Sequence, residues 1–95
     1  MAYKLHPGIT VLNICGTSML VSTRAYWEQF PRIRLVPPFW AGCLALMEKG
    51  KTDQNVVSSF VRLFHMPEEK VRQRVEKMTV ALAEEGYLLP AEEKQ

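Results

Sequence analysis

The sequence predicts an α+β domain, a small three-stranded antiparallel sheet followed by three helices. Two observations carry this. Apolar residues alternate with a period of two between residues 8 and 36, then recur with a period near 3.6 between residues 39 and 86. Pro37-Pro38, Gly50, Pro67 and Gly86 then cut the second half into three helix-length pieces with short connections, as a helix-turn-helix unit needs. A small open sheet beside three such helices is the outline of a winged helix-turn-helix domain. An open sheet also has an exposed edge, where extended peptides bind.

Residues 8–12 and 19–23 predict the two arms of a β-hairpin spanning Ile9 to Thr23. Ile9, Val11 and Asn13 point one way, and Thr10, Leu12 and Ile14 the other. Gly16 supplies the turn, because it alone takes positive φ without steric cost. Met19-Leu20-Val21-Ser22-Thr23 alternates on neither face, which predicts partial cover on both. Arg24 to Pro31 is an aromatic connector in which Tyr26, Trp27 and Phe30 are expected to form a lid over one end of the core. Arg32, Ile33, Arg34, Leu35 and Val36 predict a third strand. Prolines on both sides stop it abruptly and place it near a sheet edge.

The first helix is expected over Phe39–Lys49, with prolines at its start and Gly50 just past its end. Thr52 predicts the N-cap of a second helix ending near His65. Val56, Val57, Phe60, Val61, Leu63 and Phe64 make that helix apolar over a broad surface, which places it centrally. Pro67 fits the first position of a third helix, with Glu68 and Glu69 at the positive end of its dipole. Val71, Val75, Met78 and Leu82 form one narrow stripe along it. Gly86 ends the helix and Tyr87-Leu88-Leu89 pack back. The polar stretch from Pro90 onward predicts a frayed end, so the domain is drawn as 1–90 with a flexible tail at 91–95.

Ninety-five residues with 47% hydrophobic side chains make one domain with a modest core. The N-terminal stretch lacks the apolar run of a signal peptide and no segment reaches transmembrane length, which predicts a cytoplasmic protein away from membranes. Cys15 and Cys43 form no framework; Cys43, among leucines and alanines, is expected to be a buried free thiol. The net charge of +2 is too small to argue for nucleic acid. Its distribution is uneven, positive over residues 1–66 and negative over 67–95, so an anionic partner favours the sheet side.

Enzyme signatures are missing. The five glycines are scattered, with no phosphate loop. His6 and His65 have no metal-ligand spacing with a cysteine. The glutamates gather at helix ends, and Ser58-Ser59 has no acid–base partner. No catalytic residue, metal or cofactor is assigned, and the chain is expected to be a binding module rather than an enzyme.

Four stretches resemble one family. His6-Pro7-Gly8-Ile9-Thr10-Val11-Leu12 is similar to its opening strand. Ile14-Cys15-Gly16 with Met19-Leu20-Val21-Ser22-Thr23 is similar to its hairpin. Leu44 to Thr52 looks like its helix–glycine–threonine junction, and Glu69 to Leu88 like its last helix and terminus. The family is that of the small PQQ-synthesis D-like proteins, the RiPP recognition elements. Here Leu35-Val36-Pro37-Pro38-Phe39 stand where the family usually has an Asn and a small polar residue.

The resemblance implies a non-catalytic peptide chaperone. It implies that the leader of a ribosomally synthesised precursor peptide adds as a strand beside Arg32–Val36 and packs against the third helix at Val71, Arg72, Val75, Thr79 and Leu82. In that family a separate modifying enzyme, often a radical SAM protein, then acts on the core peptide, and the resemblance implies such a partner here. Arg32, Arg34 and Arg72 suit an acidic leader, and an open edge allows a monomer or a weak homodimer. The alternative is a winged-helix DNA-binding regulator, which calls for a basic recognition helix. The third helix carries Lys70, Arg72, Arg74 and Lys77 against Glu68, Glu69, Glu76, Glu84 and Glu85, which disfavours a duplex.

Overall fold

A computed structural model describes residues 2–91. The elements are β1 (Tyr3–Leu5), β2 (Ile9–Ile14), β3 (Thr17–Ser22), β4 (Arg34–Val36), α1 (Pro38–Glu48), α2 (Asp53–Phe64), α3 (Glu68–Glu85) and β5 (Leu88–Pro90). The chain is α+β, with three helices and a small antiparallel sheet ordered β2-β3-β4. A second, two-stranded sheet joins β1 to β5, with Leu5 opposite Leu88 and Tyr3 opposite Pro90.

The hairpin turns on Cys15-Gly16, both at positive φ (54° and 81°), so Ile14 lies opposite Thr17. This is the mirror-image turn whose twist suits adjoining strands. The register puts Ile9, Val11, Leu20, Ser18 and Val36 on one face and Leu12, Ile14, Met19, Val21 and Leu35 on the other. The first face packs under α1. Leu20 there is fully buried, and Ile9 and Val36 nearly so. The core continues through Cys43, Leu44 and Met47 of α1, Val56 and Phe60 of α2, and Val71, Val75, Met78 and Leu82 of α3.

The helix boundaries follow local chemistry. Thr52 and Asn55 cap α2 reciprocally: the Thr52 hydroxyl accepts from the Asn55 N–H at 3.3 Å, and Asn55 Oδ1 accepts from the Thr52 N–H at 3.2 Å. His65, with φ of 54°, ends the helix in the left-handed region. Pro67 is the N-cap of α3 rather than its first residue, at φ −59° and ψ 133°. Gly86 ends α3, and Tyr87 N–H returns to Leu82 O at 3.0 Å.

The expected lid forms from part of the aromatic connector. Phe30 is buried, stacks on Tyr87 at 4.9 Å and meets the edge of His6 at 5.1 Å. Tyr26 lies against His6 at 4.9 Å, but Trp27 stands exposed. The buried His6 Nδ1 accepts from Gly8 N–H at 2.9 Å.

Two further expectations are corrected. The third strand of the sheet covers residues 34–36, not 32–36. Its register would place Arg32 opposite Ser22, but the Ser22 hydroxyl donates to Phe30 O at 3.0 Å. With Phe30 anchored in the core, the chain stays out of the ladder until Arg34, and Arg32 and Ile33 are exposed. At the other end, Pro90 is not frayed: it pairs with Tyr3, and Ala91 N–H donates to Ala2 O at 2.8 Å. The rest of the expected tail, 92–95, lies outside the described residues.

Candidate functional site

The two edges of the three-stranded sheet are treated differently. In an antiparallel pair, residues alternate between bonding inward and bonding outward. The tight turn makes Ile14 and Thr17 a bonded pair, and the Thr23 N–H to Gly8 O bond at 2.8 Å continues the same rungs. On β2, therefore, Ile9, Val11 and Asn13 turn their peptide groups outward. That edge is closed at two of these three positions: Ile9 N–H donates to His6 O at 3.0 Å, and Val11 N–H to Glu48 Oε1 at 3.3 Å, while the Asn13 N–H beside the turn has no partner among the described residues. The Thr10 hydroxyl fixes the other Glu48 oxygen at 3.0 Å.

The same alternation has Ser18 and Leu20 bonding to Val36 and Arg34, which turns the Leu35 peptide groups outward. Among the described residues the Leu35 N–H has no partner. Its carbonyl accepts from Arg34 Nη1 at 2.8 Å. Leu35's side chain stands exposed on the outer face, abreast of Met19 and Leu12, with the exposed Ile14 beside them. Among the described residues no element covers this apolar stripe.

Arg34 points to the inner side. Its Nε and Nη2 each donate to Glu85 at 2.9 Å, a bidentate pair between β4 and the end of α3. The guanidinium carbon lies 5.7 Å from the Trp40 ring centroid. Donating to Glu85 raises the pKa of Arg34 above its ordinary value. One flank of α3 thus faces β4 and the start of α1: Glu85 holds Arg34, and Arg74 lies over Phe39 at 5.0 Å. Phe39 continues into an aromatic row with Phe60 and Phe64, each step 5.2 Å.

The sequence-predicted site residues divide into three groups. Arg34, Leu35 and Val36 lie on β4, with Arg32 and Ile33 in the loop before it. Val71, Val75 and Leu82 are buried in the core. Arg72 and Thr79 lie on the opposite flank of α3, facing α2. There, with Asp53, Val57 and Glu76, they line a cavity of about 610 Å³. At roughly 100° per residue, the buried stripe separates Arg72 and Thr79 from Arg74 and Glu85. The strand and the polar half of the helix set are therefore not neighbours. Arg72 is also engaged with Glu68 one turn earlier, and the Thr79 hydroxyl is buried without a hydrogen-bond partner.

The residues beside β4 that sequence reasoning missed are Trp40, Arg74 and Glu85. Arg74 and Glu85 are three turns apart and share a helix flank, a spacing visible in the sequence. Their relation to a strand fifty residues earlier was not.

Among the described residues no group of three or more His, Cys, Asp or Glu is placed to hold a metal ion. No helix there is long and apolar enough to cross a membrane. A scan against protein-family models and searches of curated proteins and of solved structures found no match to this chain.

Proposed function

We propose that this protein is a non-catalytic peptide chaperone of winged helix-turn-helix type, acting in the cytoplasm. It binds the leader of a ribosomally synthesised precursor as a strand added to β4. It then presents the precursor to a modifying enzyme, a radical SAM protein in the family it resembles. The observation that carries this reading is the difference between the sheet's edges: His6 and Glu48 close β2 at Ile9 and Val11, leaving Asn13 beside the turn, while the Leu35 N–H at the middle of β4 is open. Strand addition uses such groups for affinity and side-chain pockets for specificity.

Energetics point to the neighbouring aromatics. A strand of three residues turns few peptide groups outward, each bond contributing a net of roughly 0.5–1.5 kcal/mol. A micromolar complex needs about 8 kcal/mol. Leu35 on the outer face and Trp40 and Phe39 on the inner side are placed to supply apolar anchors. The flank of α3 bearing Arg74 and Glu85 replaces the one bearing Arg72 and Thr79 as the wall beside the peptide. The duplex-binding alternative is weakened at α3, where two of the four cations are engaged: Arg72 is paired with Glu68 and Arg74 lies on Phe39.

The test is a titration with the leader half of the nearest encoded short peptide, followed by backbone amide shifts. Saturable shifts at residues 34–36, at Trp40 and along 74–85 are expected. A folded protein without saturable shifts overturns the proposal.

A further inference from the structure

The open edge of β4 is guarded by its own neighbour. Arg34 Nη1 donates to Leu35 O at 2.8 Å, while Nε and Nη2 hold Glu85 at 2.9 Å. A docking strand needs that same carbonyl, together with the Leu35 N–H. When it takes the carbonyl, Nη1 loses its acceptor, in a site partly shielded by Trp40.

We propose that the β4 edge selects an extended peptide in which an apolar residue is followed directly by a carboxylate-bearing residue, and that this carboxylate takes the Arg34 guanidinium as the peptide N–H displaces it from Leu35 O. The inference rests on the strand-docking reading above. Its order of residues comes from the register. In an antiparallel addition, the incoming residue opposite Leu35 forms the bonded rung. Its side chain lies on the outer face, beside Leu35, Met19 and Leu12, which are apolar. The next incoming residue stands opposite Arg34 on the inner side. Non-bonded rungs bring side chains closest, with Cβ atoms about 4.5–5.5 Å apart. A carboxylate there meets the guanidinium directly. In a parallel addition the order reverses, so the selected sequence also reports strand direction. Glu85 is the competitor: it holds Arg34 ready while the edge is empty and shares or yields it when a peptide arrives.

The test is selection from a displayed library of random twelve-residue peptides against the wild type and the Arg34→Gln and Glu85→Gln variants. Thermal melting and amide spectra of each variant confirm the fold beforehand. Wild type is expected to enrich an apolar–acidic pair, and Arg34→Gln to lose the acidic preference while still enriching extended apolar sequences. Glu85→Gln should bind the selected acidic peptide about threefold to fivefold more tightly, as expected for removing one exposed competing carboxylate. Enrichment without an acidic preference, acidic preference that survives Arg34→Gln, or weaker binding by Glu85→Gln overturns the exchange but leaves strand docking standing. If no peptide is enriched by any folded variant, strand docking falls and the exchange with it.

Discussion

Glu48, the last residue of α1, blocks the middle of the outer edge of β2 by accepting the Val11 N–H at 3.3 Å. The other carboxylate oxygen holds the Thr10 hydroxyl at 3.0 Å, so the carboxylate bridges a helix end and a strand edge. Unpaired strand edges template association with other strands. Glu48→Ala reopens this one without touching the core. Sedimentation velocity is expected to show more concentration-dependent association for the variant than for the wild type. Equal sedimentation across concentrations would show that Glu48 has no edge-protecting role.

How far the sequence revealed this structure depended on how local each determinant was. The Cys15-Gly16 turn, the Thr52 cap and the Gly86 stop are set by neighbours within a few residues, and each is where the pattern put it. The β1–β5 pair was not legible: Tyr3-Lys4-Leu5 and Leu88-Leu89-Pro90 are too short for a period to show, and they meet only because the fold brings the two ends together. The start of β4 was misplaced because Arg32-Ile33 continues the alternation, while the bond from the Ser22 hydroxyl to Phe30 O, formed across the preceding loop, holds that stretch away from β3. At the candidate site, the strand was legible but its helix partner was not. Apolar periodicity identified the buried stripe of α3, and an edge strand meets a flank of such a stripe rather than its centre.

Gly8 sits against a ring that a side chain would strike. A Cβ there would come within 2.1 Å of Tyr26 Cδ2, and the ring is fixed in turn by the His6 edge at 4.9 Å. Gly8→Ala is expected to destabilise the domain by about 1–3 kcal/mol in urea titrations. In combination with Tyr26→Ala, which removes the obstacle, the Gly8 change should cost markedly less than alone. Strict additivity of the two changes would show that the ring is not what forbids a side chain.

Thr52 contributes through one reciprocal pair of bonds. Thr52→Ala removes the acceptor for Asn55 N–H and is expected to lower stability by about 1 kcal/mol, whereas Thr52→Ser, which keeps the hydroxyl, should stay near wild type. The readout is the urea midpoint at unchanged slope. Equal losses for both substitutions would assign the effect to the methyl group's packing instead of the cap.

Cys43 gives the fold an alkaline limit. Its side chain is fully buried beside Leu44 and Met47, and burial pushes the thiol from 9.0 up to about 12. Above pH 9 the unfolded chain releases the thiol proton while the folded chain keeps it. The unfolded state then binds fewer protons, so stability falls as pH rises. The slope approaches about 1.4 kcal/mol per pH unit, reaching a loss on the order of 4 kcal/mol near pH 12. Burial also raises Tyr87, from 10.0, which adds a loss of the same sign only above that pH. The interval from pH 9 to 10 therefore isolates the cysteine. In Cys43→Ala the absolute stability drops through the lost packing, but its pH dependence across that interval is expected to flatten. A thiol reagent should label Cys15 at once and Cys43 only on unfolding, because Cys15 is exposed. Parallel stability curves for wild type and Cys43→Ala between pH 9 and 10 would refute the buried-thiol account.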